Sequence, residues 1–409
     1  MTLRSRFWLL TSLRWLPTGL VVPSATLLPL DRGLTVAQVG SLVAFQATAV
    51  VLLELPTGAL SDTWGRRPVL VGSTVVACAG YLATATAQGY AGFAVASTLM
   101  GVFRALDSGP LNAWYVSAVH DEACDAGTSD AERGRTVSGG LSGAGSVLAG
   151  SIAVGALLAG GLIAWAPTGR GAALVVPYVV AAATTLVGLV ACLALVVEPD
   201  RPGRVGLAAI VAQVPRAVRD GVGLVAGSRV LVALVGIELL WGFGLIAYET
   251  LTPIRLAELL GGRGEAGAVM GPVVAGGWAM ASVGAAACVP VLRRWGAVRV
   301  SVVLKLVQCA TVVAMGLAAG PVGLVAGYLA TYATHVAASA AYESLLHDEV
   351  DNQHRGTVLS VVSMAMHPAA AMGGIVLGAV ATGASTGTAM IVGALVLAVA
   401  APLFLVRRR

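Results

Sequence analysis

Seven charged side chains stand inside long apolar runs: Arg14, Glu54, Arg104, Asp107, Glu238, Lys305 and Glu343. A charge at membrane depth costs about 2.5–3.5 kcal/mol on insertion scales, so each of them calls for a partner or a function. A desolvated carboxylate favours its neutral form and can carry a proton. A neighbouring cation can hold it ionised or receive an anionic group. The chemistry on offer is proton uptake and release together with recognition of a charged ligand.

Spacing sorts these residues into groups. Arg104 and Asp107 share a helix face that continues to Leu111 and Trp114. They form either a carboxylate titrating beside a fixed cation or an internal ion pair that neutralises the helix. Glu54 falls about 10 Å inside an apolar run at 1.5 Å per residue. It either carries a proton or pairs with Arg14, at similar depth, as a gate. Glu238, Trp241, Leu245 and Tyr248 follow one helical face. A carboxylate under aromatic rings suits an amphipathic, cationic ligand, and it equally suits a packing stripe with one satisfied acid. Tyr328, Tyr332, His335, Ser339 and Tyr342, with Glu343 beside the last, make the most polar stripe of the second half and are expected to face a central cavity. His335 could titrate, although a lone histidine is more often simply hydrogen-bonded. Glu249 is expected near the outer mouth, in water. Lys305 is expected to snorkel to the inner surface.

The elements that must position these residues are membrane helices. The chain has 409 residues, 57% hydrophobic and 11% charged, where a soluble domain carries about 25% charged residues. The solvent implied is lipid, and the net charge of +5 is no nucleic-acid footprint, because the arginines lie in short loops. Apolar runs of about 20 residues predict twelve helices, at roughly 7–29, 37–60, 69–88, 91–116, 136–162, 172–197, 229–251, 267–291, 299–318, 322–345, 357–381 and 386–406. With the N-terminus inside, the inner segments hold most arginines, from Arg4 and Arg6 to Arg407, Arg408 and Arg409. The outer loops hold only Arg32, Arg170, Arg255 and Arg263. This asymmetry predicts cytoplasmic termini in a cell-membrane protein. The expected organisation is a six-helix bundle over 1–197, a cytoplasmic linker with a short amphipathic helix over 198–228, and a second bundle over 229–409. Five scattered cysteines form no CxxC pair and read as packing residues.

The first tight basic break reads Gly58-Ala59-Leu60-Ser61-Asp62-Thr63-Trp64-Gly65-Arg66-Arg67. A repeat connects the halves: Tyr115, Ser117 and His120-Asp121-Glu122 recur as Tyr342, Ser344 and His347-Asp348-Glu349. Arg133-Gly134-Arg135-Thr136-Val137 and Arg355-Gly356-Thr357-Val358 follow at equivalent places. Parallel repeats of this kind build two-bundle transporters. The acids at these helix ends are unfavourable there and need cations, for which Arg133, Arg135, Arg355, Arg66 and Arg67 are available.

The Gly58 to Arg67 stretch resembles the helix 2–3 signature of the major facilitator superfamily, and Arg104 with Asp107 and Gly109 is similar to that family's helix 4 signature. The resemblance implies an all-α membrane fold of two pseudo-symmetric six-helix bundles. It also implies that Gly58, Asp62, Gly65, Arg66 and Arg67 form a cytoplasmic gating motif latching the halves. Glu54-Leu55-Pro56-Thr57-Gly58 is similar to proton-coupled drug and metabolite exporters. Helix 5 (Gly139 to Ser146) lacks the proline of the exporters' usual motif, and helix 11 offers only His367-Pro368 and Gly373-Gly374.

The expectation is a proton-coupled secondary exporter of small, mostly apolar or amphipathic molecules, acting by alternating access as a monomer, with protons in place of any cofactor or metal. Import of a metabolite on the same fold is the alternative. A membrane enzyme or sensor is disfavoured, because the single lysine lies in a span and there is no Walker, HExxH or zinc-spaced pattern.

Overall fold

The computed structural model describes every residue except 126, 128, 167–169, 199–206, 350–354 and 407–409. The chain is helical from end to end. α1 (Leu3–Val21) leads through a short turn to α2 (Leu27–Asp31). α3 (Val36–Trp64) and α4 (Arg66–Thr86) meet at Gly65. α5 (Gly89–Asp107) and α6 (Pro110–Asp125) follow, then α7 (Asp130–Trp165), the single turn α8 (Arg170–Ala173) and α9 (Val176–Leu195). α10 (Leu207–Ala226) lies within the expected linker. The second half holds α11 (Arg229–Glu249), α12 (Leu251–Leu260), α13 (Arg263–Trp295), α14 (Ala297–Leu317), α15 (Pro321–Glu349), α16 (Arg355–Gly383) and α17 (Thr386–Val399).

Among the described residues, ten helical segments are long and apolar enough to cross a membrane. α1 and α15, two of the twelve expected spans, are outside that set. Polar residues lower their hydropathy, Arg4, Arg6 and Arg14 in α1 and the tyrosines, threonines and His335 in α15.

Two boundaries differ from expectation in ways that matter. The fourth apolar run is broken at Ser108–Gly109, where Gly109 takes φ 117°, a region that glycine enters without penalty. The seventh run does not end near residue 251. α12 continues it, giving one apolar segment of 32 residues, Arg229–Leu260.

Small residues bring the two halves together at the end away from Gly65. Gly40 of α3 sits against the Gly374 backbone of α16, and Gly374 against that of Gly40. A Cβ on Gly160 of α7 would come within 2.7 Å of the Ala268 carbonyl of α13, and one on Gly271 within 2.5 Å of the Ala156 carbonyl. Without a strong hydrophobic drive between helices in lipid, such close backbone approach is the main source of packing energy. Asp31 and Arg263 face each other 4.0 Å apart at the same end.

Candidate functional site

The second half encloses a cavity of about 300 Å³. α11 contributes Ile237, Glu238 and Trp241, α14 contributes Lys305, and α15 contributes Ser339, Tyr342 and Glu343. Ser363 and Met366 of α16 complete its wall. The structure therefore brings together five residues of the two predicted faces, Glu238, Trp241, Ser339, Tyr342 and Glu343, from two different helices.

Lys305 corrects the sequence reading. It is 5% exposed and does not snorkel. It lies about 12 Å from the start of α14, beyond its own reach to the surface. Its Nζ donates to Gln308 Oε1 at 3.3 Å and interacts electrostatically with Glu238. A buried ammonium is tolerated when a carboxylate and a hydrogen-bond acceptor compensate it, and both are present. The Tyr342 hydroxyl donates to the Leu234 carbonyl at 3.2 Å and fixes α15 against α11.

An aromatic wall closes the cavity away from Gly65. Trp241 stacks flat on His335, with centroids 5.3 Å apart and an interplanar angle of 5°. The Trp241 indole donates to the Tyr248 hydroxyl at 3.2 Å. Tyr332 packs at 4.7 Å from Tyr328 and 6.3 Å from Trp278. The predicted polar stripe thus splits. Ser339, Tyr342 and Glu343 reach the cavity, while Tyr328 and Tyr332 are buried in the wall. Glu249, expected in water, instead accepts a hydrogen bond from the Tyr332 hydroxyl. The continuation of the seventh run as α12 is the reason, because it carries the apolar segment past Glu249, the last residue of α11, as far as Leu260.

In the first half, Arg14 of α1 pairs with Asp107. This replaces both sequence-level alternatives, Arg104 with Asp107 and Arg14 with Glu54. Arg14 also reaches Ser73 Oγ at 3.4 Å. Arg104 is exposed and lies within electrostatic reach of His367 across the interface. Glu54 is half-buried, and its Oε2 has no hydrogen-bond partner among the described residues. Trp114 lies beyond the Gly109 break and off the expected face. It donates to the Val197 carbonyl at 3.1 Å and packs with Phe7, Leu10 and Tyr115 in the core, at 3% exposure.

The hairpin centres on a residue that the sequence reading left in the linker, Glu198. Gly65 turns with φ 98°, and Glu198 Oε2 accepts from the backbone N–H groups of Arg66 and Arg67 at 2.8 and 3.0 Å. A carboxylate there answers the unpaired donors and positive dipole end of α4. The Arg66 guanidinium approaches Glu198 Oε1 at 3.9 Å and donates to Ser117 Oγ at 2.7 Å. Arg67 donates to the Leu193 carbonyl at 2.7 Å. Gly58 has open space around it, and the Asp62 side chain lies outside the described residues, as do those of Asp348 and Arg355. Arg133 takes Asp130 at 2.6 Å rather than the acids ending α6. Glu349 accepts from Ser228 Oγ at 2.9 Å. The sequence signal for Glu198 is an acid directly after the sixth apolar run.

Solved structures with this architecture are transporters. A point mutant of the nucleoside transporter NupG superposes with a TM-score of 0.78 at 13% identity, covering 99% of each chain. The unmutated NupG gives 0.75 at 13% identity, over 99% of this chain and 98% of its own. A POT family transporter in complex with 5-aminolevulinic acid gives 0.73 at 13% identity, over 98% and 95%. At that identity the likeness is one of fold. No curated protein matches the sequence. The family model of the Major Facilitator Superfamily matches residues 7–374, nearly the whole length. The chain is a member of the Major Facilitator Superfamily, a multi-pass membrane protein with the fold of a transporter.

Proposed function

We propose that the chain is a proton-coupled secondary active transporter of small amphipathic molecules. Its twelve helical spans sit in the cell membrane with both termini in the cytoplasm, and a single copy works by alternating access. The observation that carries this reading is the cavity shared by Glu238, Lys305, Glu343 and Trp241. Two carboxylates, one lysine and an aromatic face meet where a purely structural core would hold apolar side chains. A ligand with a charged group and an apolar body satisfies such a lining. A carboxylate that faces a buried cation changes its pairing when protonated, which links proton uptake to ligand exchange. The close backbone approach of the halves at the end away from the hairpin fits a carrier that opens and closes toward the cytoplasm.

Export is the preferred direction, on the resemblance of Glu54 to Gly58 to exporters. Uptake is the second reading, favoured by neighbours that are a nucleoside transporter and a POT family protein bound to 5-aminolevulinic acid. Reconstitution in proteoliposomes, with a compound screen under an imposed pH gradient, tests the coupling and the substrate. Flux that ignores the gradient removes proton coupling. An unchanged pH profile in all of Glu54→Gln, Asp107→Asn and Glu238→Gln removes these three as proton sites. A deletion strain that becomes sensitive to toxic compounds supports export, and one that fails to grow on a nutrient supports uptake.

A further inference from the structure

Glu249 is a carboxylate at membrane depth that the cavity does not use. It lies in the 32-residue segment Arg229–Leu260, about 30 Å along the helix from Arg229 and about 16 Å before Leu260. A carboxylate so placed is by default a functional candidate. Glu238, on the same helix, lines the cavity, and Glu249 does not.

Its surroundings are almost entirely aromatic. From α15, Tyr332 donates its hydroxyl to Glu249, and Tyr328 packs on Tyr332. From α11 itself, Tyr248 meets Tyr332 edge-on at 6.4 Å. From α13 comes Trp278. From α14 comes Gln308, which accepts from Lys305 and reaches Tyr248. Arg255 of α12 is occupied by Glu258 and the Ala318 carbonyl. α16 from Ala369 onward and the whole of α17 carry no titratable side chain. The titratable groups acting on Glu249 are thus tyrosines, and His335 stands beyond Tyr332 at 6.5 Å between ring centroids. The Nδ1 of His335 is buried with no hydrogen-bond partner among the described residues.

We propose that Glu249 is a second proton-carrying carboxylate of this half, sensed in the cavity through the Tyr332 hydroxyl. This rests on the transporter reading. With Glu249 ionised, Tyr332 donates to a charged acceptor, a bond roughly twice as strong as a neutral one. When Glu249 takes one proton from solvent, an O–H bond forms at the carboxyl and the charge assistance is lost. The weakened bond frees the Tyr332 ring, which meets the His335 ring edge-on at 6.5 Å between centroids. His335 lies flat on Trp241, which lines the cavity, so the change reaches the ligand site through one stacked contact. Release of the proton breaks the same O–H bond and restores the first arrangement.

The test is infrared difference spectroscopy of the full chain in lipid, titrated from acid to alkaline pH without any substrate. A protonated-carboxyl band is expected in the wild type. One component of it should vanish in Glu249→Gln, move to higher frequency in Tyr332→Phe, titrate at a different pH in Glu249→Asp, and persist in Glu238→Gln and Glu258→Gln. The Trp241 share of the fluorescence, defined with Trp241→Phe, should follow the same midpoint and lose it in Glu249→Gln. A full band in Glu249→Gln, or a band and midpoint unmoved in Tyr332→Phe, overturns the proposal. Failure of every compound to move in vesicles counts against the transporter reading alone. Proton-driven flux with a native pH profile in Glu249→Gln leaves transport standing and overturns this inference.

Discussion

Arg14 and Asp107 are an ion pair between α1 and the last residue of α5, both largely shielded from solvent. The pair sits where the fourth apolar run breaks, and it leaves Arg104 exposed and within electrostatic reach of His367. Removing one partner of a buried pair strands a charge and typically costs 3–5 kcal/mol. Asp107→Ala is therefore expected to lower the unfolding temperature in detergent markedly, and Arg14→Met with Asp107→Leu together to restore much of it. A double variant no more stable than the single one would mean that the pair is not the dominant interaction.

Glu238 and Lys305 should behave as one unit. Glu238→Gln and Lys305→Met are each expected to abolish ligand-dependent quenching of Trp241 fluorescence. In a double-mutant cycle on stability, their electrostatic interaction should give a non-zero coupling, of about 0.5–3 kcal/mol as in other coupled networks. Strictly additive effects would place the two charges in separate environments.

The hairpin depends on Gly65 twice. Its φ of 98° suits glycine, and a Cβ would come within 2.9 Å of Glu198 Oε2. Gly65→Ala should destabilise by about 1–3 kcal/mol through backbone strain. Glu198→Gln should lose a charge-assisted bond worth about 1.5–3 kcal/mol. Thermal unfolding of the two variants and their combination checks both, with the combination expected to be less than additive because they share one contact.

Gly40 and Gly374 touch through their backbones. Gly40→Val and Gly374→Val should prevent this approach and favour conformers open at that end. Pulsed-EPR distances between spin labels near the starts of α3 and α13 should lengthen in both variants. Unchanged distances would show that side-chain packing, not backbone approach, holds the end closed.

The membrane class, the helical course of the chain and the Gly65 turn were legible because lipid length and glycine conformation act locally. The partners of the charges were not. Helical spacing put Arg104 and Asp107 together, but the Gly109 break and the arrival of α1 gave Asp107 to Arg14. Lys305 looked able to snorkel because of its distance from the inner end of α14, whereas its Nζ bonds Gln308 one turn deeper and interacts with Glu238 of α11. Glu249 was misplaced by a boundary error at the join of α11 and α12. Single-helix faces grouped Glu238 with Trp241 and Ser339 with Tyr342 and Glu343, but that the two groups line one cavity depends on how α11 meets α15.

Gly40–Gly374 on α3 and α16, and Gly160–Gly271 on α7 and α13, act together as a pair of bearings. Neither contains a side chain that must change rotamer, so turning about the line between them meets little local resistance. From Gly40 to Trp64 the helix α3 extends about 36 Å. A rotation of about 10° at the bearing therefore carries the Gly65 end through about 6 Å, enough to open or shut a path the width of a small molecule. The long helices are levers, and the glycines set where the fulcrum lies.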